Sequence, residues 1–466
     1  MEQAVAIFAS CASRTRIVKC VLLRFLSRAV IATSAAACAW GLLVFCISMV
    51  TREWTERSVF LVGGLLALSF LASLLVLRLT PSKLQSAERG RGRSASVSSL
   101  KAVCMVFVAI IHSGCSESWN KYFVYRNIVD RAVPLLFVSM GVTCLGASNK
   151  YNLVDRYVAL LGPYYTYMVL VSAYRYVDGT ELSYHEGYSP RDRFRLHLQR
   201  LLGFAPCLYG AWFVFPMFQI LLLTWVASLA RSRRTLVAAV FPQSILFGAM
   251  CTNFLKDEMS SLTLKFSGGA ALDCDLFGLI YSLSLWNRFI GYVVSGMWFA
   301  TLHHQIRSWA WSVPAAVLAF VAAIFGDRMG DKTLERDLAM NLSTICLAFA
   351  VIIFFDRFPW LRRAHWLGDC SWTVYLGQIS FLQLVGDGCS GLIDGFVKVA
   401  PHIVFVQLAL ALGWLFSLLA CRDRLAKAMA PSCQSSESSR LPLLAKAPQQ
   451  EKNESRVELS FVSNGL

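Results

Sequence analysis

The sequence is poor in charged residues for its length. Only 15% of its 466 residues are Asp, Glu, Lys or Arg, whereas 56% are hydrophobic; an ordinary soluble chain is roughly 25% charged. A soluble fold cannot hide so much apolar surface from water. Many of the aromatic residues stand at the ends of apolar runs, where the headgroup layer of a bilayer favours their amphipathic rings. The composition therefore predicts a protein whose solvent is largely lipid.

Acidic residues are scarcer than basic ones. The chain has 28 Asp and Glu against 44 Lys and Arg, which gives a formal net charge of +16. A nucleic-acid-binding protein gathers its basic residues on a polar domain, often among stacking aromatics. Here they sit in short connectors between apolar runs, as in the cytoplasmic loops of membrane proteins. We therefore expect these basic residues to contact membrane lipid, and we do not expect the protein to bind nucleic acid.

Several chemical motifs are missing from the sequence. There is no C-x-x-C, no Cys/His spacing typical of a metal site, no H-E-x-x-H, no P-loop and no Ser nucleophile elbow. We therefore expect no bound metal and no nucleotide-driven pumping. Most of the 15 cysteines lie in apolar runs, where a free thiol behaves as a small hydrophobe. The sequence leaves open a disulfide among Cys115, Cys274 and Cys389, which fall in predicted outer loops.

Long apolar runs dominate what is present. They predict an all-α, polytopic transmembrane helix bundle with about twelve spans: two N-terminal spans and a ten-helix core. The spans are expected near 29–50, 58–78, 99–113, 128–147, 156–177, 207–230, 235–254, 276–302, 309–325, 339–356, 371–386 and 400–420.

The predicted spans divide the chain into three parts. Residues 1–98 contain a basic segment, two spans and a Ser- and Arg-rich linker; residues 99–420 form the ten-helix domain. Residues 421–466 are Ser, Gln, Pro and Lys rich, so we expect a disordered cytoplasmic tail.

The distribution of basic residues predicts the topology of the spans. With both termini in the cytoplasm, the basic connectors 78–101, 231–234 and 357–363 fall inside, as positively charged loops do. The basic loop 178–206 falls on the nominal outer side, which indicates either an error in the predicted topology or a binding role. We expect a multipass integral membrane protein, and the sequence leaves open whether it resides in an endomembrane or the plasma membrane.

Lys101 and His112 form the most informative pair. They are eleven residues apart, three helical turns, which brings them to one face of a helix about 16 Å apart along its axis. An imidazole inside a membrane span usually faces the bundle interior for a functional reason. An interfacial histidine that faces the outer headgroups is the plainer alternative.

Five segments, taken in order, resemble the membrane acyltransferase type 3 family of multipass O-acyltransferases. The first is the pair Lys101 and His112, and the second is RAVPLLFVSMG, with Arg131, Pro134, Ser139 and Gly141. The others are RYVALLGPYY, with Arg156; AWFVFPMFQILLL, with Trp212; and LGDCSWTVYLGQ, with Ser371 and Tyr375.

The resemblance implies an enzyme that moves an acyl group, with acetyl the leading candidate, from cytoplasmic acyl-CoA to a hydroxyl of a carbohydrate or another acceptor. It gives His112 the catalytic role, as general base or as a transiently acylated nucleophile, because an imidazole titrates near neutral pH. It implies that Lys101, Arg156 and Arg131 bind the acyl donor. Pro134, Ser139, Gly141, Trp212, Ser371 and Tyr375 would be supporting core positions, although each is also explained by helix packing or by an interface anchor.

Two other functions stay open at the level of sequence. A secondary transporter also fits a dozen helices, and its pathway would be lined by Asp130, Arg131, Arg288 and the pair His303 and His304. The other hypothesis is a receptor or scaffold that has lost catalytic activity. It rests on Lys101 in place of the family's Arg, and on departures from the family pattern at Met140, Leu160 and Gln378.

Overall fold

The structure, a computed structural model, describes residues 2–79, 95–112, 123–145, 153–178, 213–230, 232–266, 273–302, 309–330, 333–358, 360 and 365–377. These residues are helical apart from short connecting turns, and no β-strand occurs among them. The predicted all-α class is therefore confirmed for this part of the chain. The predicted span 400–420 and the tail 421–466 lie outside the described residues.

Fourteen α-helices follow one another along the described chain. They are α1 (Glu2–Thr51), α2 (Glu56–Leu79), α3 (Ala95–His112), α4 (Phe123–Asn127), α5 (Ala132–Leu145), α6 (Leu153–Asp178), α7 (Val214–Leu229), α8 (Arg233–Ala249), α9 (Lys256–Phe266), α10 (Asp273–Leu302), α11 (Ser312–Arg328), α12 (Leu334–Arg357), α13 (His365–Asp369) and α14 (371–377).

Five described helical segments are long and apolar enough to cross a membrane. They are Val21–Thr51, Glu56–Arg78, Phe123–Cys144, Arg233–Phe254 and Leu334–Arg357. Two shorter apolar helices, Ala95–Ile111 and Val214–Leu229, accompany them. A helix satisfies its own backbone hydrogen bonds, which is why apolar runs in lipid become helices. These segments support an integral membrane protein, while the count of twelve spans stays a prediction.

Helix α3 runs antiparallel to α12 and is fixed at its first turn. The hydroxyl of Ser96 donates a hydrogen bond to Asp356 near the end of α12. The hydroxyl of Ser98 donates to the carboxylate of Asp369 at 2.7 Å. Because the start of α3 is held at the end of α12, the last turn of α3 lies towards the start of α12.

Small residues bring α5 and α10 into backbone contact. A Cβ atom on Gly141 of α5 would stand 2.0 Å from the Val293 carbonyl oxygen, and one on Gly296 of α10 would stand 2.1 Å from the Val138 carbonyl oxygen. The two glycines therefore mark the same helix crossing from its two sides. Close approach through small residues is a common way to pack helices in lipid, where burial of apolar surface does not drive association.

Arg52 connects the turn between α1 and α2 to the end of the eighth helix. Its guanidinium donates to the Phe254 carbonyl oxygen at 2.6 Å and pairs with the carboxylate of Glu258. It also lies 4.0 Å from the centre of the Phe254 ring. The N-terminal pair of helices is thus attached to the chain segment that follows α8.

We expect Arg52→Ala to destabilise the protein more than Arg126→Ala. The Arg52 side chain is 21% exposed and that of Arg126, which pairs with Asp327, is 44% exposed. A partly buried charged hydrogen bond with a cation–π contact contributes about 2 kcal/mol, and an exposed ion pair contributes less than about 1 kcal/mol. Thermal unfolding of the two variants in one detergent measures the difference. Equal shifts in the midpoint would contradict the role given to Arg52.

Candidate functional site

A cavity of about 420 Å³ lies among α3, α5, α10, α12, α14 and the turn Met250–Phe254 that follows α8. Its volume is within the range of roughly 300–1,000 Å³ that is typical of small-molecule sites. Val108 and Ile111 border it from the last turns of α3, and Pro134 borders it from the first turn of α5. The cavity therefore opens where α3 ends and where α5 and α12 begin.

Five charged side chains among the described residues line this cavity. Three are arginines, Arg131, Arg288 and Arg336, and two are aspartates, Asp130 and Asp337. Three positive and two negative charges leave an excess of one positive charge on the lining. The charges of Arg131 and Arg336 both act on Asp337. An excess charge in a concave, partly apolar site attracts a ligand of the opposite sign.

Asp337 is the most buried of these charged groups. The residue is 6% exposed, and one of its carboxylate oxygens accepts a hydrogen bond of 2.9 Å from the amide of Asn253. The other oxygen, Oδ2, has no hydrogen-bond partner among the described residues. A buried polar atom without a partner is costly unless a bound molecule satisfies it. Asp337 lines the cavity, so such a molecule would reach it there.

A second polar pair crosses the cavity wall. The hydroxyl of Tyr292 on α10 donates to the amide oxygen of Asn341 on α12 at 2.6 Å. Both residues line the cavity and both are buried. This hydrogen bond fixes the orientation of the Asn341 amide, so its NH2 group has a defined direction.

The end of the eighth helix is widened where it meets the cavity. Residues Met250–Phe254 form a π-helical turn, closed by a hydrogen bond of 2.9 Å from the Leu255 N–H to the Met250 carbonyl oxygen. Thr252 and Asn253 of this turn line the cavity. Single π-helical turns occur often at functional sites, because the extra residue redirects side chains. Arg52 holds the same turn through Phe254.

The predicted catalytic and donor residues fall in two regions. His112 is the last residue of α3 and directly follows Ile111 of the cavity lining, although its side chain is outside the described part of the structure. Arg131 lines the cavity. Lys101 is partly buried on α3, eleven residues before His112, and Arg156 is exposed at the start of α6. Neither Lys101 nor Arg156 is among the lining residues.

The predicted supporting residues are also divided. Pro134 and Tyr375 line the cavity. Gly141 lies at the crossing of α5 and α10, and Ser139 is buried, with its hydroxyl donating to the Leu136 carbonyl oxygen at 2.7 Å. Ser371 is partly buried one turn before Tyr375 on α14. Trp212 lies outside the described residues.

Three of the five segments that were predicted from the sequence to be family-like contact one another. The ring of Phe213, next to Trp212 in the chain, packs edge-on against Tyr375 with 4.4 Å between ring centres. The indole N–H of Trp372 donates to the Leu160 carbonyl oxygen at 3.0 Å. The hydroxyl of Ser98, three residues before Lys101, donates a hydrogen bond to Asp369, the last residue of α13.

Three residues of the predicted transport pathway also meet in the cavity. Asp130, Arg131 and Arg288 all line it. His303 and His304 lie outside the described residues. Among the described residues no group of His, Cys, Asp and Glu is arranged to hold a metal ion. The side chains of Cys115, Cys274 and Cys389 are outside the described part of the chain, so the disulfide stays open.

Sequence reasoning missed most of the polar lining. Arg336, Asp337, Tyr292, Asn253 and Asn341 were not expected to take part in a site, yet all line the cavity. A signal was present: Asp337 and Asn341 are four residues apart, which places two polar side chains on one face at the beginning of a predicted span.

No protein-family model, curated protein or solved structure matches the chain.

Proposed function

We propose that this protein is a membrane-embedded O-acyltransferase. It would transfer an acyl group, most simply acetyl, from acyl-CoA on the cytoplasmic face to a hydroxyl group of a carbohydrate or a similar acceptor. The observation that supports the proposal best is the meeting of Ile111, Arg131, Pro134 and Tyr375 around one cavity. Arg131, Pro134 and Tyr375 come from two of the five segments that resemble the acyltransferase family, and Ile111 lies beside His112 of a third. These segments are far apart in the chain.

The chemistry of the proposed reaction needs one proton acceptor. The imidazole of His112 takes the proton of the acceptor hydroxyl as its oxygen attacks the thioester carbonyl carbon. The new carbon–oxygen bond forms, the carbon–sulfur bond breaks, and the imidazolium returns the proton to the departing CoA thiolate. In the covalent variant an imidazole nitrogen attacks the thioester carbon, the carbon–sulfur bond breaks, and CoA leaves as the thiol with the imidazole proton. The acceptor hydroxyl then attacks the acyl-imidazole, and the released imidazole takes up the hydroxyl proton.

The donor would be held at the other end of α3. Lys101 lies about 16 Å from His112 along the helix, a length that the pantetheine arm of CoA can bridge between helices. Arg156 and the basic connector at 231–234 supply further cations for the phosphates on the predicted cytoplasmic side. Both termini would lie on that side.

Reconstituted vesicles test this proposal directly. With the purified full chain, radiolabelled acetyl-CoA, a panel of monosaccharides and an extract of membrane carbohydrates, we expect alkali-labile acetyl esters and an equal amount of free CoA. Empty vesicles give the background. Release of CoA no faster than in empty vesicles, with every acceptor, would refute the acyltransferase assignment.

A secondary transporter is the second candidate, because Asp130, Arg131 and Arg288 line one cavity. The same vesicles distinguish the two functions. Uptake of a labelled monosaccharide in the absence of any acyl-CoA, abolished by Arg288→Gln, would favour transport. An acyltransferase gives no such accumulation.

A further inference from the structure

We infer that the cavity binds an acidic sugar: a ring with several hydroxyl groups and one carboxylate, as in a uronic acid. The inference rests on the proposed function in one respect, since it takes this ligand to be the acyl acceptor. The binding site itself depends only on the charge, burial and hydrogen bonds of the cavity lining.

The sign of the ligand charge follows from the lining. Among the described lining residues, three arginines and two aspartates leave one positive charge in excess. A cationic ligand would raise this excess to two, and an anionic ligand would remove it. Arg131 forms no ion pair with a carboxylate in the part of the chain that the structure describes. Its planar guanidinium suits bidentate binding of a carboxylate.

The need for hydroxyl groups follows from Asp337. Its Oδ2 atom is buried and lacks a donor among the described residues. An ammonium group would be repelled by Arg131 and Arg336, whose charges act at the same place. A hydroxyl group donates the missing hydrogen bond without adding charge. The ligand therefore combines a carboxylate for arginine with a hydroxyl for Asp337.

The rest of the lining suits a sugar ring. Phe289 and Tyr375 offer aromatic surfaces, and Val133 and Met340 offer aliphatic ones. A ring presents apolar C–H faces to such walls while its hydroxyl groups point to the amides of Asn253 and Asn341. This combination of apolar walls and a few placed polar groups is typical of small-molecule sites. Because His112 directly follows Ile111 of the lining, a ring hydroxyl would lie at the end of α3.

Binding measured without acyl-CoA tests the inference. The purified full chain is held in detergent, and equilibrium dialysis compares labelled D-glucuronate, D-glucose and a glucose phosphate ester. We expect glucuronate to bind at least about 10-fold more tightly than glucose, as a charged hydrogen bond to arginine would give. Arg131→Gln should lower the affinity for glucuronate to about the affinity for glucose. Arg57→Gln, on an exposed side chain of α2 that is not part of the cavity lining, is the matched control and should leave the affinity for glucuronate unchanged.

Asp337→Asn provides a second variant. It keeps an oxygen for the Asn253 amide and replaces the free acceptor by a donor, so binding of glucuronate and of glucose should both weaken by about 10-fold. Because Asp337 is buried, Arg131→Gln keeps the inference testable if Asp337→Asn does not fold.

Several outcomes would overturn the inference. They are equal binding of glucose and glucuronate, tighter binding of the phosphate ester than of glucuronate, and displacement of glucuronate by free coenzyme A, which would make the cavity a donor site. Failure of the proposed function looks different. Glucuronate that binds as expected, with no acetyl ester formed, would refute the acyl transfer and leave the binding site intact.

Discussion

Replacing His112 with alanine is expected to lower the rate of acyl transfer by at least about 100-fold. A positioned general base contributes roughly 100-fold to 10,000-fold to a proton-transfer step, and alanine offers no group to take the proton of the acceptor hydroxyl. The cavity lining at Val108, Ile111, Arg131 and Tyr375 is left in place by the change. Binding of the acceptor should therefore persist while turnover is lost.

The matched control is His365→Ala. His365 begins α13, is exposed, and is not part of the cavity lining. The His365→Ala variant should transfer acyl groups at the rate of the unaltered protein. Both variants are compared as purified chains in vesicles, with size-exclusion profiles to verify that each inserts and folds. Acyl transfer by His112→Ala at the unaltered rate would remove His112 from the mechanism.

The same pair of variants separates the two roles open to His112. Incubation with radiolabelled acetyl-CoA and no acceptor labels the protein only if the imidazole is itself acylated. Label on the unaltered chain and on His365→Ala, but not on His112→Ala, would establish the covalent route. Absence of label on a chain that turns over would establish the general-base route.

The all-α class of the described residues could be predicted from the sequence because lipid leaves the backbone few options. A segment without water must pair its own N–H and C=O groups, so apolar runs of sufficient length are helical. The predicted span 339–356 corresponds to α12, which begins five residues earlier, at Leu334. The hydroxyl of Thr333 caps this helix by accepting from the Arg336 N–H at 3.3 Å. Hydrophobicity alone therefore placed the start of α12 after its charged first turn.

The candidate site was harder to predict than the helices. Arg131, Pro134 and Tyr375 were predicted as site residues because they lie in segments whose pattern resembles the acyltransferase family. Asn253 and Asp337 are 84 residues apart and form their hydrogen bond only because α8 and α12 pack together. Contacts of this kind depend on helix order and rotation, which a single sequence does not encode in any local pattern. The polar lining therefore became visible only in the folded chain.

The charged first turn of α12 also explains why the cavity is polar. Arg336 and Asp337 lie within four residues of the helix start, so the cavity is near one end of α12. A polar site near the ends of helices that pack in lipid admits charged groups at lower cost than one at the bilayer centre. The location of the cavity thus follows from where the chain can tolerate charge.

Gly141→Ala is expected to prevent correct packing of the bundle. The added methyl group would stand 2.0 Å from the Val293 carbonyl oxygen, and a backbone atom cannot rotate away as a side chain can. The two helices must separate by about 1 Å or more, which breaks the contacts of Phe137 with Phe289, stacked at 4.5 Å between ring centres. Overpacking of this kind costs roughly 1–3 kcal/mol, and contact with backbone gives the upper end. Gly296→Ala should have the same effect.

Gly63→Ala on α2 is the matched control, since no atom lies within 4 Å of the Cβ that it adds. Alanine is the better helix former by about 0.8–1.0 kcal/mol, so this variant should be as stable as the unaltered protein or slightly more so. Fluorescence-detected size exclusion and thermal unfolding in detergent measure both variants. If Gly141→Ala behaved like Gly63→Ala, α5 and α10 would not cross through Gly141 and Gly296. Phe289 on α10 would then have no fixed place in the cavity wall, and the cavity would lack the shape that a sugar ring requires.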